Sequence, residues 1–470
     1  MSNRTVVSVE PRGDDTIEVK LAKAPIMIAG ARIPQMFDCD PDLMPAWTEQ
    51  GAVQTHGRAI FDKLGTHAAI KQAFTVLLGI KAPQIRSLYF HLVADEAERL
   101  SWETLCDPTG TFLALDRRWP IARMADSEVD QGVPHGDFVP PLKVMAVLSA
   151  IHRPAKLEWE GLRDAVRDTR AKGLAVELIV MVGEEALLDT IRKQAAADAM
   201  NWLTVMPIPD RIASLDAALA EHQPHILHFY SHGSASSGVS QLHLATIPDW
   251  DDDDRTTGSL ILTLDELSNF PALVNAWLVT LNCCEGGKAA NDLHSMAHRL
   301  VAGGVPAAIG MIEPINAGDA HEFAGVFYPA LLASLRMALA QAQATGNRVE
   351  FEWAPALHLP RTALRDRHGG DAVADRAWTL PVLYVRPEPF ELRYLDQAVV
   401  ATPPGVQPPP APVVLDPAAK ERIEVVAGFL RALPPDTPLD ARVALLAILN
   451  DVPTEFRPAL DGTISGDVSV

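Results

Sequence analysis

Short apolar runs alternate with amphipathic segments through the middle of this chain. Three such pairs follow one another: residues 143–151 with 157–173, 174–183 with 184–200, and 202–209 with 211–223. The apolar runs are typical of strands buried on both faces, and the segments repeat their apolar positions at helical spacing. The alternation predicts an α/β fold, in which a mostly parallel sheet is flanked by helices on both faces.

Composition divides the chain into four predicted parts. A polar, proline-containing stretch at 127–141 separates an N-terminal accessory α+β segment, residues 1–135, from the α/β part, residues 136–395. Seven prolines within 401–417 predict an extended linker, assigned to residues 396–417. Residues 418–470 carry two helical patterns and form a small helical module, which is too short to bury a large core and is expected to dock on a partner.

Charge and cysteine content exclude several classes of function. The chain has 40 Lys and Arg against 60 Asp and Glu, and a net charge of -20 disfavours nucleic acid as a partner. Four cysteines in 470 residues do not make a disulfide framework, which indicates a reducing, cytoplasmic location. No stretch of 18 consecutive apolar residues and no apolar signal segment occur, so no membrane association is expected.

Two apolar runs end in residues that carry chemistry. The first reads HILHFYSHG and brings His232 to its end, and the second reads AWLVTLNCCEGG and brings Cys283 and Cys284 to its end. Ligands of open α/β sheets bind at the carboxyl ends of the strands. A cysteine attacks as its thiolate, and a neighbouring imidazole takes the proton and returns it to the leaving amine. The pattern predicts a His–Cys pair, with the backbone N–H groups of Gly233 and Cys284 as the oxyanion hole.

The spacing alone does not choose between the two cysteines. Side chains alternate along a strand, so only one of the pair faces the crevice. A zinc site at His225, His228 and His232 is disfavoured, because His225 and His232 would fall on opposite faces. Gly286, Gly287 and Lys288 resemble part of a phosphate-binding loop. The earlier glycine of that motif is missing, and Ala289 stands where the motif has Ser or Thr. No metal and no cofactor are therefore expected.

A predicted hairpin joins the two apolar runs and has an acidic tip. The tip contains Asp251, Asp252, Asp253 and Asp254, followed by Arg255. The simplest interpretation of such a run is a solvated turn. The functional alternatives are a cation site and an exposed loop for self-cleavage.

Several blocks in order resemble the CHAT family of caspase-related cysteine peptidases. The family pattern of a "HFaGHG" block followed by "LSACETG" is similar to HFYSHG and LNCCEGG here, and further blocks make the resemblance extend over roughly residues 50–390. The resemblance implies a caspase-like fold, His232 as the catalytic histidine and Cys284 as the nucleophile. Cys283 falls on the family's Ala.

The resemblance also suggests substrate-binding residues. Asn282, Glu285 and Asp265 are the candidates. Related metacaspases have an Asp two residues before the nucleophile, where it helps to bind a basic substrate residue. Asn282 cannot supply that charge, so the cleavage preference stays open, with Arg or Lys favoured because the molecule is acidic.

Family members usually act as latent endopeptidases that a sensor or partner switches on, often in antiviral defence or regulated cell death. The module at 418–470 loosely resembles small effector-associated adaptor domains and is the expected docking site for an activator. The implied function is a thiol protease acting on a protein substrate. The alternatives are a non-catalytic caspase-fold adaptor and an acyl-transferring or deamidating cysteine enzyme, which would use the same pair.

Overall fold

A computed structural model describes residues 4–13, 16–40, 44–128, 132–236, 239–252, 254–284, 293–313, 315–395 and 417–433. The prediction of an α/β fold with a large, mostly parallel sheet flanked by helices is confirmed. Contacts group residues 1–397 into one unit and residues 398–470 into another.

The strands of the described residues form one large sheet and one small sheet. They are β1 Thr5–Gly13, β2 Thr16–Lys23, β3 Gln35–Met36, β4 Leu88–Leu92, β5 Ile121–Met124, β6 His135–Phe138, β7 Leu142–Leu148, β8 Val176–Val182, β9 Leu203–Pro207, β10 Ile226–Ser236, β11 Val239–Leu244, β12 Leu260–Thr263, β13 Leu278–Cys284, β14 Ala307–Met311, β15 Val349–Phe351, β16 Pro381–Val385 and β17 Phe390–Tyr394. The large sheet has the order β3-β2-β1-β4-β5-β16-β14-β13-β10-β7-β8-β9, with β11 and β12 attached to β10, and the small sheet has the order β15-β17-β6.

The helices of the described residues alternate with the strands between β7 and β10. In chain order, the helices are α1 Ala52–Leu64, α2 Ala68–Leu78, α3 Lys156–Ala171, α4 Glu185–Ala197, α5 Ile212–His222, α6 Ile247–Trp250, α7 Leu264–Ser268, α8 Leu293–Ala302, α9 Ala317–Thr345, α10 His358–Arg367 and α11 Pro417–Ala432. The strand–helix alternation from β7 to β10 therefore follows the predicted order. The second helical pattern of the C-terminal module lies outside the described residues.

The N-terminal part and the α/β part share the large sheet. Strand β5 pairs in parallel with β16, and β16 pairs antiparallel with β14. The predicted division at residue 135 therefore does not coincide with a break in the sheet. The polar stretch at 127–141 also differs from a plain linker, because its residues His135–Phe138 form β6 and pair with β17. In the N-terminal part, Leu113–Leu115 forms a 3-10 turn that buries Leu113 and Ala114.

Helix α9 is the one described helix that is long and apolar enough to cross a membrane by length and composition. It packs against α3 and α10, and its buried side chains include Phe323, Phe327 and Leu331. A core helix of a folded domain has the same length and composition. The packing therefore accounts for its apolar character.

Substitution by alanine is expected to change the stability of the protein in opposite directions at two helical glycines. A Cβ atom at Gly57 in α1 would lie 1.9 Å from the Thr104 carbonyl oxygen, whereas one at Gly325 in α9 would meet nothing within 4 Å. We expect Gly57→Ala to destabilise the protein by about 1–3 kcal/mol through overpacking. Gly325→Ala should stabilise it by up to about 1 kcal/mol, because alanine loses less backbone entropy in a helix. Thermal unfolding of the two variants tests the pair, and equal Tm values would contradict it.

Candidate active site

The two strands with the candidate residues are direct neighbours. Strands β10 and β13 pair in parallel, and their register sets His232 opposite Cys284 and Ser231 opposite Cys283. Adjacent strands lie about 4.8 Å apart. The pairing therefore puts His232 and position 284 side by side at the carboxyl ends of the two strands.

Strand β10 does not end at Gly233 as the sequence suggests. It continues to Ser236 and pairs antiparallel with β11, where Gly233 lies opposite Leu242. The polar, small residues after His232 are compatible with a strand because the hairpin supplies a partner. Gly233 is thus a position inside an antiparallel ribbon of β10, β11 and β12 that continues beyond the parallel pairing.

A backbone carbonyl fixes the ring of His232. The His232 Nε2 atom lies 2.8 Å from the carbonyl oxygen of Ile151, which follows β7, and the histidine is buried. A carbonyl oxygen only accepts hydrogen bonds, so Nε2 carries the proton and donates it. In the neutral ring, Nδ1 is then the basic nitrogen. The contact selects one tautomer and one ring orientation.

The residue after this carbonyl is tied to the hairpin. His152 has a φ of 56°, in the left-handed region that non-glycine residues rarely adopt. Its Nε2 atom lies 2.7 Å from the carbonyl oxygen of Arg255, and its ring packs edge-on against Trp250. The segment that orients His232, Ile151 and His152, is therefore hydrogen-bonded to the hairpin tip through the His152 side chain.

The acidic tip is organised by Asp249, a residue that the sequence does not single out. Asp249 Oδ2 accepts hydrogen bonds from the backbone and hydroxyl groups of Thr246 and Ser259, at 2.7–3.0 Å. Burial raises the pKa of Asp249, but these hydrogen bonds outweigh burial and leave it below its usual value. Arg255 Nε lies 3.2 Å from Asp249 Oδ1, so the arginine belongs to the folded turn.

The other aspartates of the tip that the structure describes are exposed to solvent. Asp251, Asp252 and Asp254 are exposed, and Asp252 lies 3.5 Å from Arg255 Nε. Asp253 lies outside the described residues. Among the described residues, no group of His, Cys, Asp and Glu side chains is arranged to hold a metal ion.

Cys283 lies on the opposite face of β13 from position 284. It is buried, and burial raises the pKa of its thiol to about 12, although a hydrogen bond with Ser231 acts in the other direction. A thiol in such surroundings is almost entirely protonated near neutral pH. The register pairs Cys283 with Ser231 rather than with the histidine.

A buried polar cluster lies beneath the carboxyl ends of the two strands. Glu158 of α3 is fully buried, and its Oε1 atom accepts from Asn282 Nδ2 at 2.8 Å and lies 2.8 Å from His228 Nε2. Its Oε2 atom accepts from His321 Nδ1 of α9 at 2.9 Å. Burial raises the pKa of Glu158, but the two histidines and their charges outweigh burial and lower it overall.

This cluster determines the surroundings of Asn282. The Asn282 side chain is fully buried, and its amide also donates to the Ala320 carbonyl oxygen at 3.0 Å. Asn282 therefore joins β13 to α3 and α9. Of the other suggested substrate-binding residues, Asp265 is exposed in the first turn of α7, and Glu285 lies outside the described residues.

Comparison with protein families gives one match, in which the CHAT domain model covers residues 54–350. This is more than half of the chain. The chain belongs to the CHAT domain family. The comparison with curated proteins returned no match.

CHAT membership relates this protein to caspase-like peptidases, and the matched residues include both strands of the candidate site. Two features of this CHAT protein were missed from the sequence. Glu158 lies on a helix with ordinary amphipathic spacing, and the role of the Ile151 carbonyl depends on backbone position alone. A glutamate at a core-facing position of α3 was the available signal for the first.

Proposed function

We propose that this CHAT protein is a cysteine endopeptidase in which Cys284 is the nucleophile and His232 is the general base and acid. The observation that carries the proposal is the register of β10 and β13, combined with the hydrogen bond from His232 Nε2 to Ile151. The register favours position 284 over 283, because His232 is paired with position 284 and successive residues of a strand belong to opposite faces. The buried, protonated thiol of Cys283 favours the same choice.

The proposed reaction uses the tautomer that Ile151 selects. His232 Nδ1 takes the Cys284 proton, and the thiolate attacks the carbonyl carbon of the scissile peptide bond. The N–H groups of Gly233 and Cys284 would stabilise the oxyanion. The imidazolium then gives its proton to the leaving amine, and a water molecule activated by His232 hydrolyses the thioester. Throughout the cycle Nε2 keeps its proton, so the bond to Ile151 persists.

The proposal includes a protein substrate and a cytoplasmic location. A latent state relieved by an activator that docks on residues 418–470, in antiviral defence or regulated cell death, belongs to the same proposal. The buried state of Asn282 supports latency, because a substrate side chain cannot reach it without a rearrangement of α3 or α9. Self-cleavage near Arg255 would likewise require the turn around Asp249 to open.

Site-specific labelling tests the proposed nucleophile. A peptidyl acyloxymethyl ketone with arginine at its cleavage position, and iodoacetamide as a small probe, are applied to the wild type, Cys284→Ala and Cys283→Ala. Mass spectrometry locates the adducts. We expect labelling at Cys284 in the wild type and in Cys283→Ala, and loss of that adduct in Cys284→Ala.

The two cysteine variants serve as matched controls for each other. Labelling that disappears only in Cys283→Ala would reverse the assignment. Absence of labelling at either cysteine by both probes would favour the non-catalytic adaptor. Iodoacetamide is included because a closed substrate cleft can exclude a peptide without excluding a small molecule.

A further inference from the structure

A large cavity lies at the amino ends of the parallel strands, on the opposite edge of the sheet from the candidate active site. Its volume is about 710 Å³, and its wall includes Lys143 at the start of β7, His225 before β10, Trp277 before β13 and Pro306 before β14. His232 follows His225 by seven positions of extended chain, a distance of roughly 20 Å. The cavity is therefore separate from the proposed catalytic pair.

Three side chains of the wall present hydrogen-bond donors that have no partner among the described residues. The Lys143 backbone N–H donates to His225 Nδ1 at 3.0 Å, so Nδ1 is the acceptor and Nε2 carries the proton of the ring. Burial and the charge of Lys143 lower the pKa of His225 to about 4, which keeps the ring neutral near pH 7. His225 therefore offers an Nε2–H group with no other partner among the described residues.

Two more donors complete this set. The Lys143 ammonium and the Trp277 indole N–H lie in the wall and have no hydrogen-bond acceptor within the described part of the chain. Trp277 is 4% exposed, and its ring packs 4.4 Å from that of His225, so the position of the donor is fixed.

The remaining charges of the wall are already paired. Asp137 is bonded to Arg393, with 2.9 Å between Oδ1 and Nε. Arg386 donates to the Gly132 carbonyl oxygen at 2.8 Å and lies 3.4 Å from Glu388. The wall therefore combines three donor side chains with a Lys143 charge that no carboxylate of the described residues pairs within 4.0 Å, in a protein whose net charge is -20.

We propose that this cavity binds a small organic anion, whose carboxylate or phosphate oxygens accept hydrogen bonds from Lys143, His225 and Trp277. The volume falls in the range of small-molecule sites and exceeds what an inorganic ion fills. The rest of the ligand contacts apolar wall residues, which include Val133, Val139 and Val274. This inference does not depend on the proposed peptidase activity, and binding is measured without a substrate.

Calorimetry on the full-length protein tests the proposal with two anions and their neutral counterparts. Adenosine 5′-monophosphate is compared with adenosine, and indole-3-acetate is compared with indole. At least one anion should bind with one-to-one stoichiometry and at least tenfold more tightly than its neutral counterpart. The two arms distinguish a phosphate from a carboxylate ligand. Failure of both anions to bind, or equal binding of the neutral molecules, would overturn the proposal.

Substitutions at Lys143 locate the binding site. Lys143→Gln should weaken anion binding at least tenfold, because a charge-assisted hydrogen bond is lost. Lys143→Arg keeps the charge and should retain most of the affinity, which also covers failure of the glutamine variant to fold. Lys172→Gln, in an exposed pair with Asp168, is the matched control and should bind as the wild type does. Unchanged binding in Lys143→Gln would place the anion elsewhere and refute the assignment.

Discussion

Replacing His232 with glutamine is expected to lower peptide hydrolysis by a factor of about 10²–10⁴. The glutamine amide can still donate to the Ile151 carbonyl oxygen, so the loop keeps its contact. The amide cannot take the thiol proton or return it to the leaving amine. The effect should therefore appear in kcat/KM while the free energy of unfolding stays close to that of the wild type.

The pH dependence of labelling isolates the role of the imidazole. A cysteine without a basic partner has a pKa of about 8.5 and is only about 3% thiolate at pH 7. Iodoacetamide labelling of Cys284 in His232→Gln should therefore rise steeply between pH 7 and pH 9.5, whereas the wild type should change little. His222→Gln, at the end of α5, is the control and should follow the wild type. Identical pH profiles for the wild type and His232→Gln would exclude His232 as the base.

Replacing Glu158 with glutamine is expected to destabilise the protein by about 3 kcal/mol at pH 7. The carboxylate holds Asn282, His228 and His321 together in a fully buried cluster. Glutamine keeps one acceptor oxygen but replaces the other with an NH2 donor, so groups from three elements lose the charge and one of the two acceptor atoms that they share. Denaturant unfolding measures the difference. Glu160→Gln, on the same helix with a 4.0 Å contact to Lys156, is the control and should stay within about 0.5 kcal/mol of the wild type.

The sign of the pH effect follows from the lowered pKa of Glu158. A carboxyl whose pKa is lower in the folded than in the unfolded protein stabilises the fold above its unfolded value, here 4.5. That contribution is lost as the pH falls through the folded value. The stability difference between the wild type and Glu158→Gln should therefore shrink below about pH 4.5. A difference that is small at pH 7, or that grows in acid, would contradict the interpretation of the cluster.

The sequence predicts most of the α/β part because each element there has a simple period. Strands β7 and β8 are apolar runs interrupted only by Lys143 and Glu177, and α3 and α4 repeat at helical spacing. The sharing of one sheet by the two parts could not be predicted in this way. It depends on the pairing of β5 with β16, two short strands about 260 residues apart, and nothing local specifies such a partner.

The sequence predicts the residues of the candidate site but not the contacts that surround them. Residue type and strand ends identified His232 and the two cysteines, and register was needed to separate Cys283 from Cys284. The carbonyl of Ile151 could not be found, because every residue carries one. The turn around Asp249 could not be predicted for a different reason: the run of four aspartates is the conspicuous feature of the sequence there, whereas the buried carboxylate lies just before it.

The position of β16 limits where this chain can be cut for expression. The family match ends at residue 350, but β16 comes later and lies between β5 and β14. Arg361 joins the same strands, donating to the carbonyl oxygens of Ile121 at 3.1 Å and Pro381 at 2.9 Å. A protein ending at residue 350 would expose two unpaired edges in the middle of the sheet, and such edges promote aggregation. The smallest piece that keeps every strand of the large sheet begins before Thr5 and ends beyond Val385.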